Sequence, residues 1–346
     1  MSIESPKRLI PGWVWAALTV VVIALVVVLF FTDRRKTPDT SFEYDLSSYT
    51  QIDPKEVIFK EAGRIPLNVA NPSAMAIGPD GKIYVGGENA VIVLNDEGKE
   101  LARYAVKGTP GCLAAIPDGK LLAGMKNHIE VLDAQGSSVA TWQDLGEHAW
   151  LTSIAVNDQN VYAADAGNRI VLRYDLNGTL QTRIGAADTA RNIPGLVVPS
   201  AFLDVAFDPM DALWVVNPGK HGLENYRANG DLVSSWYRMG MDLPGFCGCC
   251  NPTHIAFRSD GTLVTVEKGL NRVKLYAPDT SLLGVVAPPE GLLAPGSATM
   301  SCDLEPPVRD LAVDAKDRVL VLNNPKHVIL VFEKIPNREG EAPAKP

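Results

Sequence analysis

From residue 55 to about 335, hydrophobic positions come in short alternating runs, as in Lys82-Ile83-Tyr84-Val85, and acidic or Gly-containing turns close them. Alternation with period two, broken at each turn, predicts strands rather than helices. The clearest unit is an apolar strand Ile154-Ala155-Val156, a polar turn, a second strand Val161-Tyr162-Ala163-Ala164-Asp165, a turn Ala166-Gly167-Asn168-Arg169, and a third strand Ile170 to Asp175. Similar units begin at Ala74, Leu113, Asp204, His254 and Asp310. Their central alanines, Ala76, Ala115, Ala155, Ala206, Ala256 and Ala312, are 39, 40, 51, 50 and 56 residues apart. Periods near 40 with several short strands per unit predict the blades of an all-β six-bladed β-propeller.

The last unit supplies three strands, Asp310 to Asp314, Arg318 to Leu322 and Val328 to Glu333. Glu56 to Glu61 reads as a strand without a blade. It is expected to complete the last blade and close the ring, which removes the edges an open sheet would expose.

The Ile154 to Asp175 unit resembles the NHL repeat, whose pattern runs through an Ile-Ala-Val-Asp strand, a Val-Tyr-Val-Ala-Asp strand and a Gly-Asn-x-Arg-Ile turn; Asn271-Arg272-Val273 repeats part of it. The resemblance covers roughly residues 55–335 and implies a six-bladed NHL-like propeller. It implies no activity, since such a fold hosts many. The longer units carry insertions at Gly185 to Ser200, Arg238 to Pro252 and Pro288 to Pro307, between the outer strand of one blade and the inner strand of the next. In the propeller that the resemblance implies, these connections share the face of the turns between second and third strands. Long loops on one face of a rigid scaffold are where function is expected.

The N-terminus departs from the pattern. Gly12 to Thr32 is an uncharged run of 21 residues, and as a helix rising about 1.5 Å per residue it spans roughly 30 Å, the thickness of a bilayer's hydrocarbon core. Bulky Phe30-Phe31 and charged Asp33 follow it rather than a small-residue cleavage site, which predicts an uncleaved transmembrane anchor. The expected organisation is a tail 1–11, an anchor 12–32, a tether 33–54, a propeller 55–335 and a disordered tail 336–346. Lys7 and Arg8 precede the span and Arg34, Arg35 and Lys36 follow it, so positive charge barely fixes the orientation. A single N-terminal anchor serves an exported domain, which predicts a bacterial inner-membrane protein with its large domain in the periplasm. Ser5-Pro6-Lys7-Arg8-Leu9-Ile10 faintly resembles a twin-arginine export signal with Lys in the first place.

The net charge is −8 over 346 residues. Residues 1–36 hold five basic and two acidic side chains, leaving 27 basic and 38 acidic ones, a net of −11. An acidic domain repels phosphate backbones and excludes nucleic acid as a partner. No phosphate-binding Gly-rich loop, Ser nucleophile elbow, His-Glu-x-x-His helix or c-type haem motif occurs.

Chemistry concentrates in the cysteines. Cys247, Cys249 and Cys250 lie between Pro244 and Pro252, and Cys302 lies in the next long insertion. Cys250 is six residues before Ala256 and Cys302 ten before Ala312, which predicts that they meet near the axis in adjacent blades. Four thiolates suit an iron–sulfur cluster, with a 4Fe–4S cubane possible, and soft sulfur donors also suit zinc or copper. Gly248 permits the tight backbone that lets neighbouring thiolates turn inward. The alternative is disulfide staples, the default in an oxidising compartment. A bridge needs Cα atoms roughly 4.4–6.8 Å apart, so pairs within the triplet are strained and only one partner lies in the next loop.

His254, on the inner strand below the triplet, is expected to hydrogen-bond a cluster sulfur, with Asp204 and Asp310 at the matching position in the flanking blades. Cys112 opens the inner strand of the second blade among apolar neighbours and reads as a buried structural cysteine. His128, His221 and His327 fall in second-to-third-strand turns of blades two, four and six. They read as solvated turn residues, or as ligands of a channel metal if the chain is an enzyme of the metal-dependent lyase type known with this propeller. His148 lies on a loop without partners.

The expected function is electron transfer through a thiolate-bound centre on the rim, within a membrane redox assembly or with another protein partner, rather than stand-alone enzymatic activity. The alternative is a non-catalytic propeller that binds a protein or ligand, with its cysteines as disulfide staples and no metal.

Overall fold

The computed structural model describes residues 11–32, 47–248, 250–294 and 306–336. It divides into two compact units, Met1–Leu46 and Ser47–Pro346. The first contains α1 (Gly12–Thr32), which carries no charged residue. Its side chains are described only as far as residue 27. Among the described residues no helix is long and apolar enough to cross a membrane. The expected transmembrane anchor therefore rests on the sequence and has no support from the structure. Most of the expected tether, and all but the first residue of the expected disordered tail, lie outside the described residues; α2 (Ser47–Thr50) occupies part of the tether's end.

The second unit is a ring of six four-stranded antiparallel sheets. The strand that opens it is β1 (Phe59–Pro66). Blade one follows as β2 (Ala74–Ile77), β3 (Ile83–Gly87), β4 (Ala90–Leu94) and β5 (Glu100–Ala105). Blade two is β6 (Cys112–Ala115), β7 (Leu121–Gly124), β8 (Ile129–Leu132) and β9 (Ser138–Thr141). Blade three is β10 (Leu151–Val156), β11 (Asn160–Asp165), β12 (Ile170–Asp175) and β13 (Leu180–Ile184). Blade four is β14 (Val205–Phe207), β15 (Leu213–Asn217), β16 (Gly222–Tyr226) and β17 (Leu232–Tyr237). Blade five is β18 (His254–Phe257), β19 (Leu263–Glu267), β20 (Arg272–Tyr276) and β21 (Leu282–Ala287). Blade six has β22 (Val308–Val313), β23 (Val319–Asn323) and β24 (Val328–Lys334), in the order β1-β24-β23-β22.

The six-bladed ring and its closure agree with the sequence pattern. The closing strand runs over Phe59–Pro66 rather than residues 56–61, because residues 56–58 do a second job. Ile58 donates its amide to Val285 and Glu56 accepts from Val285, so this segment clips the outer strand of blade five before β1 pairs with β24 in blade six. One segment thus ties two blades.

Alternation decides the packing. Turn carboxylates tighten the hairpins: Asp208 Oδ1 accepts the amides of Met210 and Ala212 at 2.9 and 3.0 Å, as Asp314 does those of Lys316 and Arg318. With the hairpins fixed, the apolar side chains of each sheet meet those of the next blade. The buried clusters each join two neighbouring blades, as when Val264 and Val273 of blade five meet Val308 and Val319 of blade six.

Around the axis two buried carboxylates link inner strands. Asp204 accepts the amides of Val205 at 2.9 Å and of Ile255 in blade five at 2.7 Å. Asp310 accepts those of Leu311 at 2.8 Å and of Met75 in blade one at 2.7 Å.

Phe59 anchors the closing strand, buried in the blade five–blade six cluster with the Arg258 guanidinium 5.8 Å from its ring centre. Phe59→Ala is expected to cost about 3–5 kcal/mol, read as a drop in the urea midpoint of the full chain. A loss below 1 kcal/mol would show that β1 is not what closes the ring.

Candidate functional site: the cysteine loop and the axial cavity

The connection from β17 to β18 is folded on itself before it reaches the cysteines. Phe246 donates its amide to Arg238 at 2.8 Å, and Gly240 donates to Phe246 at 3.1 Å. The Phe246 side chain is fully buried between blades four and five, packed edge-on against Trp236 and tilted against Tyr276. Beneath it lies Lys274 of β20, wholly buried, with its ammonium 4.3 Å from the Phe246 ring centre. That ammonium donates to the carbonyls of Gly245 at 2.6 Å and Leu243 at 3.2 Å, while Tyr276 donates its hydroxyl to Pro244 at 2.9 Å. An aromatic plug and a buried cation thus fix the backbone up to Cys247.

Cys247 and Cys250 are both buried. The Cys247 amide donates to the Glu267 carboxylate at 3.0 Å. Glu267, at the end of β19, also takes Arg272 at 2.8 Å and stands 3.3 Å from Lys274 Nζ. Burying one carboxylate with two cations is tolerated because both cations stand within 3.3 Å of it. Burial pushes the Lys274 ammonium down to about 8, against the pull of Glu267, with Arg272 adding to the depression; negative charge at Cys247 would hold it up.

Past Cys247 the chain turns at Gly248, whose φ of 77° is a left-handed conformation that favours glycine, as the sequence predicted. The Gly248 carbonyl accepts the Nε2–H of His221 from the turn after β15. Asn251 donates to the carbonyls of Cys247 at 2.6 Å and Lys268 at 2.9 Å, and accepts the Lys268 amide at 2.8 Å. The loop therefore sits between the second-to-third-strand turns of blades four and five.

The expectation that Cys250 and Cys302 meet near the axis involves a residue, Cys302, that lies outside the described residues. The Cys247 amide is held by Glu267 of β19 and its carbonyl by Asn251, and neither Cys247 nor Cys250 lines the axial cavity. Cys249 and Cys302 lie outside the described residues. Among the described residues, no group of three or more His, Cys, Asp or Glu side chains is placed to hold a metal ion. This also tells against His128, His221 and His327 as a shared metal site, since all three are described. His221, expected to be solvated, is instead buried under the cysteine loop. Cys112 is buried as expected, and burial pushes its thiol well up.

The axis carries a cavity of about 380 Å³, lined by residues of all six blades, among them Ser73, Gly111, Leu151, Leu203, His254 and Arg309. His254 faces this cavity. Burial, with Arg309 adding, lowers its imidazole to about 4, so at neutral pH it is uncharged and its 3.8 Å approach to Asp204 is not an ion pair. Asp204 and Asp310 each accept a backbone amide of their own and of a neighbouring inner strand, and Asp204 also bonds the Ser153 side chain, which makes these residues blade staples.

Sequence reasoning passed over Glu267, Arg272 and Lys274 as site residues, and weighed His221 only as a ligand of a channel metal. Glu267 stands where Asp165 stands in blade three, at the end of the second strand. Asp165 accepts the Trp150 amide at 2.9 Å in the same way, and Asn217 accepts that of Val197 at 3.0 Å. Alignment of the repeats on that position contains the signal.

Comparison with known proteins gives the fold. No family model and no curated protein sequence matches the chain. Solved structures do match it, among them a streptogramin B lyase (TM-score 0.55, 11% identity, 80% of this chain and 98% of that one). Another is a selenomethionine-substituted virginiamycin B lyase from Staphylococcus aureus (TM-score 0.54, 13% identity, 80% of this chain and 100% of that one). A protein of unknown function from Bacteroides thetaiotaomicron matches at TM-score 0.56 and 11% identity, over 78% of this chain and 72% of that one. At such identities the likeness establishes the propeller and carries no activity across.

Two outcomes are expected. Glu267→Gln leaves two buried cations without a countercharge and should cost about 3–5 kcal/mol in urea unfolding. Burial raises Asp204 to about 6 and Asp310 to about 7, the Asp204 charge adding to the latter. A raised carboxyl binds its proton more tightly folded than unfolded, so its contribution is full below about pH 4 and fades as pH rises through about 6 and 7. The Asp204→Asn/Asp310→Asn double variant should therefore lose less Tm between pH 5 and 7.5 than the parent. Parallel profiles would refute the shifts.

Proposed function

We propose that this propeller carries a soft-metal thiolate centre, in the first instance an iron–sulfur cluster, on Cys247, Cys249, Cys250 and Cys302, and passes electrons to a protein partner. The observation that carries the reading is the seat of the cysteine loop. The Cys247 amide is held by buried Glu267, and the Lys274 ammonium supports the preceding carbonyls. The charge of the buried Lys274 ammonium is felt at Cys247, and a neighbouring cation favours the thiolate, the form that binds metal. A loop locked on both sides presents its sulfurs without reorganisation, which is what a bound centre needs from its protein.

His221 adds to this. Its contact with the Gly248 carbonyl is made through Nε2, which leaves Nδ1, a buried atom with no hydrogen-bond partner among the described residues. A nitrogen donor beside the triplet suits zinc or copper as well as iron. The two cysteine-bearing loops end side by side: Thr253 and His254 after the first and Pro306 and Val308 after the second line the same cavity.

We further propose that residues 12–32 tether the propeller to a bacterial inner membrane on its periplasmic side, as a single-pass member of a membrane redox assembly, and that the repeat belongs to the NHL type. The uncharged run Gly12–Thr32 and the Asn168-Arg169 and Asn271-Arg272 turns support these two statements respectively.

A second reading, a non-catalytic binding propeller whose cysteines form disulfide staples, draws on the axial cavity. Anaerobic purification of the full chain separates the two. The cluster reading expects a brown protein with iron and acid-labile sulfide near one to one. It also expects each of Cys247→Ser, Cys249→Ser, Cys250→Ser and Cys302→Ser to bleach that absorbance while the β-sheet circular dichroism stays. A colourless, metal-free chain with an inter-loop disulfide in non-reducing peptide mapping would replace it with the second reading.

A further inference from the structure

Blade four holds a buried carboxylate that neither the cysteine loop nor the axial cavity explains. Glu224 lies in the middle of β16 and is fully buried. Asn217 Nδ2 stands 2.9 Å and Lys220 Nζ 3.3 Å from the same oxygen, Oε1. Tyr237 donates its hydroxyl to that oxygen as well, and Tyr226 donates to Oε2 at 2.5 Å. Burial, with the hydrogen bonds to Glu224 adding, raises both phenols, so both stay donors and Glu224 is the base of the group.

A short turn brings the amide and the amine to one carboxylate oxygen. Asn217 ends β15 and Pro218–Lys220 form a single 3-10 turn, in which side chains three apart lie on one side. The Tyr237 ring, its centre 5.4 Å from Lys220 Nζ, holds the amine there. Asn217 is fully buried, and its Oδ1 accepts the Val197 amide at 3.0 Å. A fixed N–H on a carbonyl oxygen polarises the carbon for attack and stabilises the oxyanion that follows. Water is kept from a buried amide, so hydrolysis does not compete. Blade six has the same turn without the chemistry. Asn323 and Lys326 stand at the matching positions, but Leu330 replaces the carboxylate, opposite Val321 as Glu224 is opposite Val215. Lys326 Nζ there donates to the Gly291 carbonyl. Blade four thus adds a buried base to a turn that folds without one.

We propose that Lys220 and Asn217 become joined by an isopeptide bond that the folded chain forms itself, with Glu224 as general base and acid. Glu224 takes a proton from the Lys220 ammonium. The free amine adds to Cγ of Asn217, and negative charge gathers on Oδ1 against the Val197 amide. Glu224 returns its proton to Nδ2 and the Cγ–Nδ2 bond breaks. Ammonia leaves with a proton from the attacking nitrogen, as ammonium. One C–N bond forms and one breaks, no electrons change hands, and no co-reactant is needed. The bond closes the turn directly before His221, against which the Gly248 carbonyl rests. It forms whether or not the thiolate centre does.

The test is intact-mass spectrometry and tryptic mapping of the full chain, purified in detergent and then unfolded under reducing conditions. The chain should be lighter than its sequence by one ammonia. Trypsin cuts after Lys220 only while that side chain is free. The digest should therefore contain residues 192–227 as one peptide, lighter by the same ammonia, in place of 192–220 and 221–227. Mapping separates this from succinimide formation at Asn177-Gly178 or Asn229-Gly230, which also releases ammonia; Asn217 cannot close that ring because Pro218 has no backbone N–H. Glu224→Gln should reduce the joined peptide at least about tenfold, the loss expected of a general base. Lys220→Arg, which keeps the charge at a partly exposed position, should abolish the ammonia loss with the β-sheet circular dichroism unchanged. Asn323 and Lys326 should stay unjoined in the same digest. A parent chain with 192–220 free and unmodified overturns the proposal, however the variants fold. So does a joined peptide that persists undiminished in Glu224→Gln.

Discussion

Ring closure is the constraint on which everything else rests. Each apolar cluster lies between two blades, so no blade buries its own faces alone. Closure depends on a segment from the other end of the chain. Residues 56–58 bond the outer strand of blade five, and β1 then pairs with β24 along its length. Such pairings are far apart in sequence, and the entropy of bringing them together is recovered only when the whole ring forms. The carboxylates of Asp204 and Asp310 repeat the device at small radius, each tying one inner strand to the next blade.

On this ring the upper-face loops are held by a repeated feature. The last residue of the second strand is buried and polar in four successive blades: Asp165, Asn217, Glu267 and Asn323. Each grips the connection arriving from the preceding blade, through the amides of Trp150, Val197 and Cys247 or, in blade six, the carbonyl of Leu292. In blades one and two the same position is Gly87 and Gly124. Blade five uses the longest of these side chains and surrounds it with Arg272 and Lys274, so the cysteine loop receives the most heavily charged support in the ring.

The fold was legible because alternation, turn residues and the spacing of central alanines are properties of contiguous sequence. The extra strand before the first repeat was legible for the same reason, since Val57, Ile58 and Phe59 have no blade of their own. The site was legible only in part. Cys247 announces itself by its neighbours, but its seat is assembled from Glu267, Arg272 and Lys274 on two strands of one blade and His221 from a turn in another. Nothing in the run of residues around a buried lysine separates it from a solvated one. His254 begins a strand at the cavity, while Phe246 ahead of the triplet occupies the gap between blades four and five. The count of residues from Cys250 to Ala256 fixes how far the chain can reach, and the aromatic plug fixes in which direction it goes.

That plug separates two chemistries on one face. The axial cavity has largely apolar walls, two aromatic rings and an imidazole kept neutral by burial. The loop between blades four and five holds sulfur beside buried charge, surroundings that favour thiolate. Among the described residues, the loop between blades four and five meets the cavity through Thr253 and His254, the residues that leave it. Coupling between the two, if a ligand is to influence the centre, must pass through that short segment, where Thr253 pairs with Val266 one residue before the Glu267 carboxylate that holds the Cys247 amide.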